Sequence, residues 1–164
     1  MRVLSLVLLG VILGLLAACG GGSVDVAGSY TVSVTNGANG CNAVNWTVGD
    51  SATNIPVTIA QDGSNATATV EGLTGAYLQA GLGSRVFAGD VSGHDLNLEL
   101  IGTTQQTQGS CTYTYNALLD GSIDGDVITG TITYTGESTD VPDCDTIVGC
   151  ESVQDFNGTR PPSQ

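Results

Sequence analysis

The chain has 164 residues, with 16 acids set against three arginines and no lysine, for a net charge of −13. Such a surface repels phosphate backbones and anionic headgroups, which excludes nucleic acid as a partner. With 41% hydrophobic residues in clear alternation the chain is no disordered polyanion, and the acids read as a solubilising coat.

The first element is a signal. Met1-Arg2 precedes an apolar run from Val3 to Ala18 broken only by Ser5, Gly10 and Gly14. A cation, a short apolar core and small residues mark a secretory leader. Sixteen helical residues reach about 24 Å, short of a hydrocarbon core of about 30 Å. Leu16-Ala17-Ala18-Cys19 resembles the lipobox of bacterial lipoproteins at all four positions. The resemblance implies cleavage before Cys19, a diacylglycerol thioether on its sulfur and an acyl chain such as palmitate on its new amino group. Two or more chains anchor a protein stably where one does not. Gly20 follows the cysteine where inner-membrane retention uses aspartate, so the resemblance implies lipid anchoring at the outer membrane, on its periplasmic face or at the cell surface. Residues 1–18 are thus the signal peptide, and 19–25 the lipidated cysteine with a glycine-rich tether.

Residues 26–160 form one predicted domain, followed by a tail at 161–164. Helical periodicity is hard to find here, whereas alternation is plain: Tyr30, Val32 and Val34 share one face; Ile55, Val57 and Ile59 another; then Leu96, Leu98 and Leu100; Tyr113, Tyr115 and Ala117; Ile128, Ile132 and Tyr134. Threonine-rich opposite faces suit a solvated β-surface. Strands are predicted near 28–36, 44–48, 55–61, 66–71, 84–91, 95–101, 110–120 and 127–135, with a closing strand near 150–158. The segments QDGSNATATV (61–70), VSGHDLNLEL (91–100) and IDGDVITGTI (123–132) align, with Gly63, Gly93 and Gly125 in register. Each reads as a hairpin turn, because glycine supplies a positive φ without steric cost.

Hairpins repeated along a chain make an antiparallel up-and-down meander. About eight strands with one apolar face tend to close into a barrel, which removes the edges. The architecture is similar to that of avidin and lipocalin barrels, a calycin-like arrangement, without their signature motifs; a two-sheet β-sandwich is the alternative. A transmembrane barrel needs aromatic girdles and an aromatic last strand. Aromatics are 5% of this chain, which ends Arg160-Pro161-Pro162-Ser163-Gln164.

Lipidation of Cys19 leaves an even set, Cys41, Cys111, Cys144 and Cys150, and two disulfides are expected in an exported chain. Of three pairings, Cys144–Cys150 as a short clip with Cys41–Cys111 as a long one is favoured. With no Cys-x-x-Cys and a single histidine, zinc is not expected.

Asp120, Ser122, Asp124, Gly125 and Asp126 imitate the start of a calcium loop, but its twelfth position is Thr131 instead of a bidentate glutamate. Asp120, Asp124 and Asp126 are therefore weak calcium candidates inside a hairpin turn, and no metal is expected. Asp140, Asp143, Asp145 and Glu151 form a second weak cluster. Ser92, His94 and Asp95 are adjacent, yet triads converge from separate elements and no Gly-x-Ser-x-Gly elbow occurs. Trp46, the single tryptophan, is expected to pack in the core or at a barrel rim. The Asn-x-Thr triplets at Asn45, Asn65 and Asn157 carry no functional weight in a bacterial lipoprotein.

No catalytic constellation emerges, so an enzyme is not expected and no cofactor is implied. The leading expectation is a non-catalytic binding or structural module of the envelope or cell surface, monomeric, membrane-attached by its N-terminal lipid and facing an envelope protein or a small apolar ligand. One alternative is a barrel carrier of a small apolar ligand. Another is an inhibitor of an envelope-directed enzyme such as lysozyme, for which LGSRVF (82–87) faintly resembles a known inhibitory loop with altered order and spacing. The anchor is directly testable. Mass analysis of the mature chain should find a lipid adduct at residue 19, and Cys19→Ser should move the protein from the membrane to the soluble fraction. A free or bridged thiol at that residue would defeat the lipobox reading.

Overall fold

Three two-residue turns organise one end of the molecule. The computed structural model describes residues 24–138, 144 and 146–162, and within them Gly63, Gly93 and Gly125 all have φ near +60°. In each case the following residue, Ser64, His94 or Asp126, does not have a positive φ. Glycine alone in the left-handed region at the first central position is the pattern of a type II′ hairpin turn, whose twist matches that of the strands it joins. The aligned segments are therefore three copies of one turn.

Around these turns run β1 (Gly28–Asn39), β2 (Ser51–Asp62), β3 (Asn65–Val70), α1 (Gly72–Leu82), β4 (Val86–Ser92), β5 (Asp95–Leu100), β6 (Gln106–Gln108), β7 (Cys111–Asp124), β8 (Val127–Glu137) and β9 (Glu151–Thr159). Each of β1 to β4 pairs antiparallel with the next; β5 pairs with β7, β7 with β8, β8 with β9, and β9 returns to β1. Eight strands thus close a barrel. The short β6 lies outside the ring, against residues 111–113 of β7, while β5 takes residues 117–122 of the same strand. The β1–β9 and β5–β7 ladders exclude the two-sheet sandwich.

Alternation sorts the residues as expected. Tyr30, Val32, Ile55, Ile59, Leu96, Leu98, Leu100, Ala117, Leu119 and Ile128 are buried in one core. Outward neighbours such as Thr58, Thr67, Asn97, Asp120 and Thr129 are exposed. A polar outer wall around an apolar interior is the reverse of a lipid-facing barrel.

The end carrying the three turns is plugged. Val26, fully buried, donates its N–H to Gln61 Oε1 at 2.7 Å. The Gln61 Nε2 donates to the Val24 carbonyl at 3.1 Å, and Val24 N–H donates to the Gly93 carbonyl at 3.1 Å. Arg160 closes the plug from the last strand: its Nε pairs with Asp126 Oδ1 at 3.1 Å, its Nη1 donates to the Ala27 carbonyl at 2.6 Å, and its guanidinium stands 5.7 Å from the centre of the Tyr30 ring.

Three expectations need correction. Residues 44–48 form no strand; they belong to the β1–β2 loop, where Asn42 and Asn45 take positive φ and break any extended run. The helix α1 was not anticipated. Gly72, Gly75 and Gly81 dilute its pattern, and its N-cap residue, Glu71, makes no side-chain cap bond. What holds it is tertiary packing of Leu78 and Leu82, one turn apart, on the barrel core. The third correction concerns the disulfides, which join Cys41 to Cys150 and Cys111 to Cys144. Because β9 lies beside β1, with Asn39 opposite Ser152, the residues just outside that ladder meet across it. Similarly β7 lies beside β8, with Thr114 opposite Glu137, so the chain leaving β8 passes the start of β7. A Cys144–Cys150 ring would forgo both bridges between neighbouring strands.

Inside the wall, Phe156 lies over two glycines. A Cβ on Gly130 would meet Phe156 Cε1 at 2.8 Å, Gly121 Cα at 2.6 Å and, closest of all, the Asp120 carbonyl oxygen; one on Gly121 would meet Phe156 Cζ at 3.0 Å. Gly130→Ala should therefore destabilise the barrel by about 1–3 kcal/mol in chemical denaturation, as overpacking of a filled core does. Unchanged stability would show that the ring can move aside.

Candidate functional site

The opposite end of the barrel is hollow. A cavity of about 830 Å³ lies within the range of about 300–1,000 Å³ typical of small-molecule sites. Its walls come from β1 (Val32, Val34), β2 (Ile55, Val57), β3 (Ala68, Val70) and β8 (Ile132), and its floor from Tyr30, Ile59, Leu96 and Ile128. Of the inward residues of β5 and β7, Leu96 and Leu119 line this space while Leu98, Leu100 and Ala117 are buried outside it, so the space is eccentric. Among the lining residues Val44, Leu73 and Tyr77 are exposed, at 88%, 71% and 70%. The cavity therefore reaches solvent between the β1–β2 loop and α1.

The helix crosses this end as a partial lid. Its last carbonyls are satisfied by neighbours, since Thr103 N–H donates to the Leu82 carbonyl at 2.7 Å and Gln106 Nε2 to that of Gly81 at 3.3 Å. In its first turn Gly75 lies so close to the Val70 carbonyl that a Cβ there would clash, so the glycine lets the helix approach the barrel closely. Both disulfides serve the same end. Cys41 tethers the β1–β2 loop to the start of β9, and Cys144 tethers the β8–β9 loop to the start of β7.

No Asp, Glu, Lys, Arg or His lines the cavity among the described residues. Apart from Tyr30 in the floor, whose hydroxyl donates to the Val26 carbonyl at 2.9 Å, its polar groups gather near the mouth. Tyr134 Oη donates to Gln154 Oε1 at 2.9 Å, and Gln154 Nε2 donates to Asn36 Oδ1 at 2.7 Å. Trp46 stands edge-on to Tyr134 with ring centres 5.9 Å apart, and its indole N–H donates to the Gly37 carbonyl at 3.0 Å. The tryptophan thus occupies the rim, one of its two expected places. Burial pushes the Tyr134 phenol far above its ordinary value, so it stays neutral and acts as a hydrogen-bonding group only.

The other candidates lie elsewhere. Ser92 faces Asp95 across the β4–β5 turn, and His94 Nδ1 is 2.8 Å from the Ile123 carbonyl; this is hairpin structure at the plugged end, away from the cavity. Asp120 and Asp124 are exposed on β7, and Asp126 is taken by Arg160. Among the described residues no three metal-ligating side chains come together. Asp140, Asp143, Asp145 and Cys19 lie outside the described residues, and Glu151 is exposed at the start of β9. Tyr113 packs beside the Cys111–Cys144 bridge and Tyr115 against the main core; neither lines the cavity. Phe87, the aromatic of LGSRVF, is buried on β4 at 1% exposure, where it lines the cavity from inside, and is not displayed on a loop. Comparison with known proteins finds no matching family model, curated protein or solved structure.

Burial also raises the phenols of Tyr30 and Tyr115 above 10.0; Arg160 partly opposes the rise at Tyr30, and Tyr113 adds to it at Tyr115. A phenol whose native pKa is raised supports the fold fully below its unfolded value and loses that support as pH climbs beyond it. Stability should hold up to about pH 10 and fall steeply above it. Tyr134→Phe should flatten that fall, as read by denaturation at about pH 8 and about pH 11. An equal loss in both proteins would show that Tyr134 is not enclosed.

Proposed function

We propose that this protein is a lipid-anchored envelope carrier that encloses a small apolar molecule within its barrel. The observation supporting this most directly is the apolar interior, hollow at one end and plugged at the other. A filled barrel would have pointed to loop recognition instead. The inhibitor alternative has no comparable observation in its favour.

The placement of the N-terminus is consistent with anchoring at Cys19. The chain enters at the plugged end, where Val24 bonds to Gly93. Five residues, Cys19 to Ser23, would separate a lipid from that point and could span at most about 17 Å. The eleven residues of β8, tilted as barrel strands are, extend about 28 Å along the axis. An anchored barrel would therefore present its mouth away from the membrane that holds it, toward cargo arriving from the aqueous side or from a facing surface.

Protein extracted from its native membrane and examined by native mass spectrometry should carry a non-covalent small molecule. After stripping, a lipophile library should contain compounds that raise the Tm by roughly 5–10 °C at about a hundred times their Kd. Ala68→Trp, which fills the cavity from β3, should abolish the shift; Ala52→Trp at the mouth is the milder variant should the first not fold. Absence of any co-purified molecule together with a flat library would sink the carrier.

A further inference from the structure

Resting on that carrier reading, we infer that the cargo is an uncharged lipophile with a single hydroxyl or carbonyl end, held at the Asn36–Gln154–Tyr134 cluster near the mouth. Charge comes first. A carboxylate taken into this cavity would find no cation among the described residues, because Arg85 and Arg160 both lie outside the lining and Arg160 is occupied at the plugged end. A net charge of −13 over the whole chain opposes an anion further. An ammonium would gain from that field and from the rings of Trp46, Tyr77 and Tyr134. Yet among the described residues no carboxylate lines the cavity to pair with it, and an unpaired charge buried among Val, Ile and Leu is strongly disfavoured.

Hydrogen bonding then selects among neutral groups. The cluster is a directional chain: Tyr134 gives its proton to Gln154, and Gln154 gives its own to Asn36. Two capacities remain at its ends. The Asn36 Nδ2 donates to no protein group among the described residues, and Tyr134 Oη keeps its lone pairs for an acceptor role. A hydroxyl can use either, accepting from Asn36 or donating to Tyr134. A carbonyl can use the first. A purely hydrocarbon end would leave polar groups facing it unmatched. The cavity below, from Val34 and Val57 down to Leu96 and Ile128, takes the apolar body.

The test uses three probes of one chain length, dodecanol, dodecanoate and dodecylammonium, at about pH 8 and about 0.15 M salt, where surface attraction for the ammonium is screened. Binding to the stripped full-length protein is read from Trp46 fluorescence, the single tryptophan being at the rim, and from calorimetry. Dodecanol should bind at least about tenfold more tightly than either charged probe, and Asn36→Ala should weaken dodecanol by about five- to tenfold. Comparison of headgroups on the unaltered protein stands even if the variant does not fold. Dodecanoate or dodecylammonium binding as tightly as dodecanol would overturn the inference while leaving the carrier intact. An unchanged dodecanol affinity in a folded Asn36→Ala protein would overturn the placement of the polar end. Failure of all three probes to bind would remove the carrier reading beneath it.

Discussion

Everything in this molecule depends on one ladder, the pairing of β9 with β1. Those strands begin 123 positions apart, Gly28 and Glu151, and their hydrogen bonds turn an open meander into a ring. Closure removes the exposed edges that would otherwise template association. It also decides the disulfides, because only in a closed barrel does Cys150 stand beside Cys41 and leave Cys144 to Cys111. Chain-entropy arithmetic for closed segments of 109 and 33 residues gives about 4–5 and about 3–4 kcal/mol of stabilisation. Both bridges act where the barrel is least filled.

The contrast between the two ends is physical. At the plugged end large side chains meet, Phe156 has two glycines beneath it, and residues 24–27 are bonded in place. Toward the mouth the walls are built of Val, Ile and Ala, and α1 spans the gap without filling it. A sealed void of this volume would cost on the order of 20 kcal/mol at about 24 cal/mol per Å³, more than the stability of an ordinary domain. The cavity persists because it opens to solvent. Water against such walls has few polar partners outside the Asn36–Gln154–Tyr134 cluster, and an apolar guest gains the dispersion contacts that water cannot supply.

Parts of this site were legible in advance. Val32, Val34, Ile55, Val57 and Ile132 were assigned to an inward face from alternation alone, and Trp46 to a core or rim position. The lid was not, because a glycine-diluted, uncapped segment has too weak an intrinsic preference to stand out. One signal was present in the i, i+4 spacing of Leu73 with Tyr77 and of Leu78 with Leu82. The polar cluster as a group offered no signal, although alternation puts Tyr134 on the same face as Ile128 and Ile132. Asn36 and Gln154 are ordinary strand residues until β1 and β9 pair, and Tyr134 enters from a third strand.

What the sequence determined by itself is local: three glycine-bearing hairpin turns, the strands beside them, the face each strand buries and the sorting of acids to the outside. These follow from steric limits on a few adjacent residues and from the two-residue period of a strand. Only the tertiary structure decided which cysteines meet, that the interior is hollow at one end and which polar groups share its mouth. Those are properties of strands joined across more than a hundred residues, and side-chain volume becomes a cavity only once the ring around it has closed.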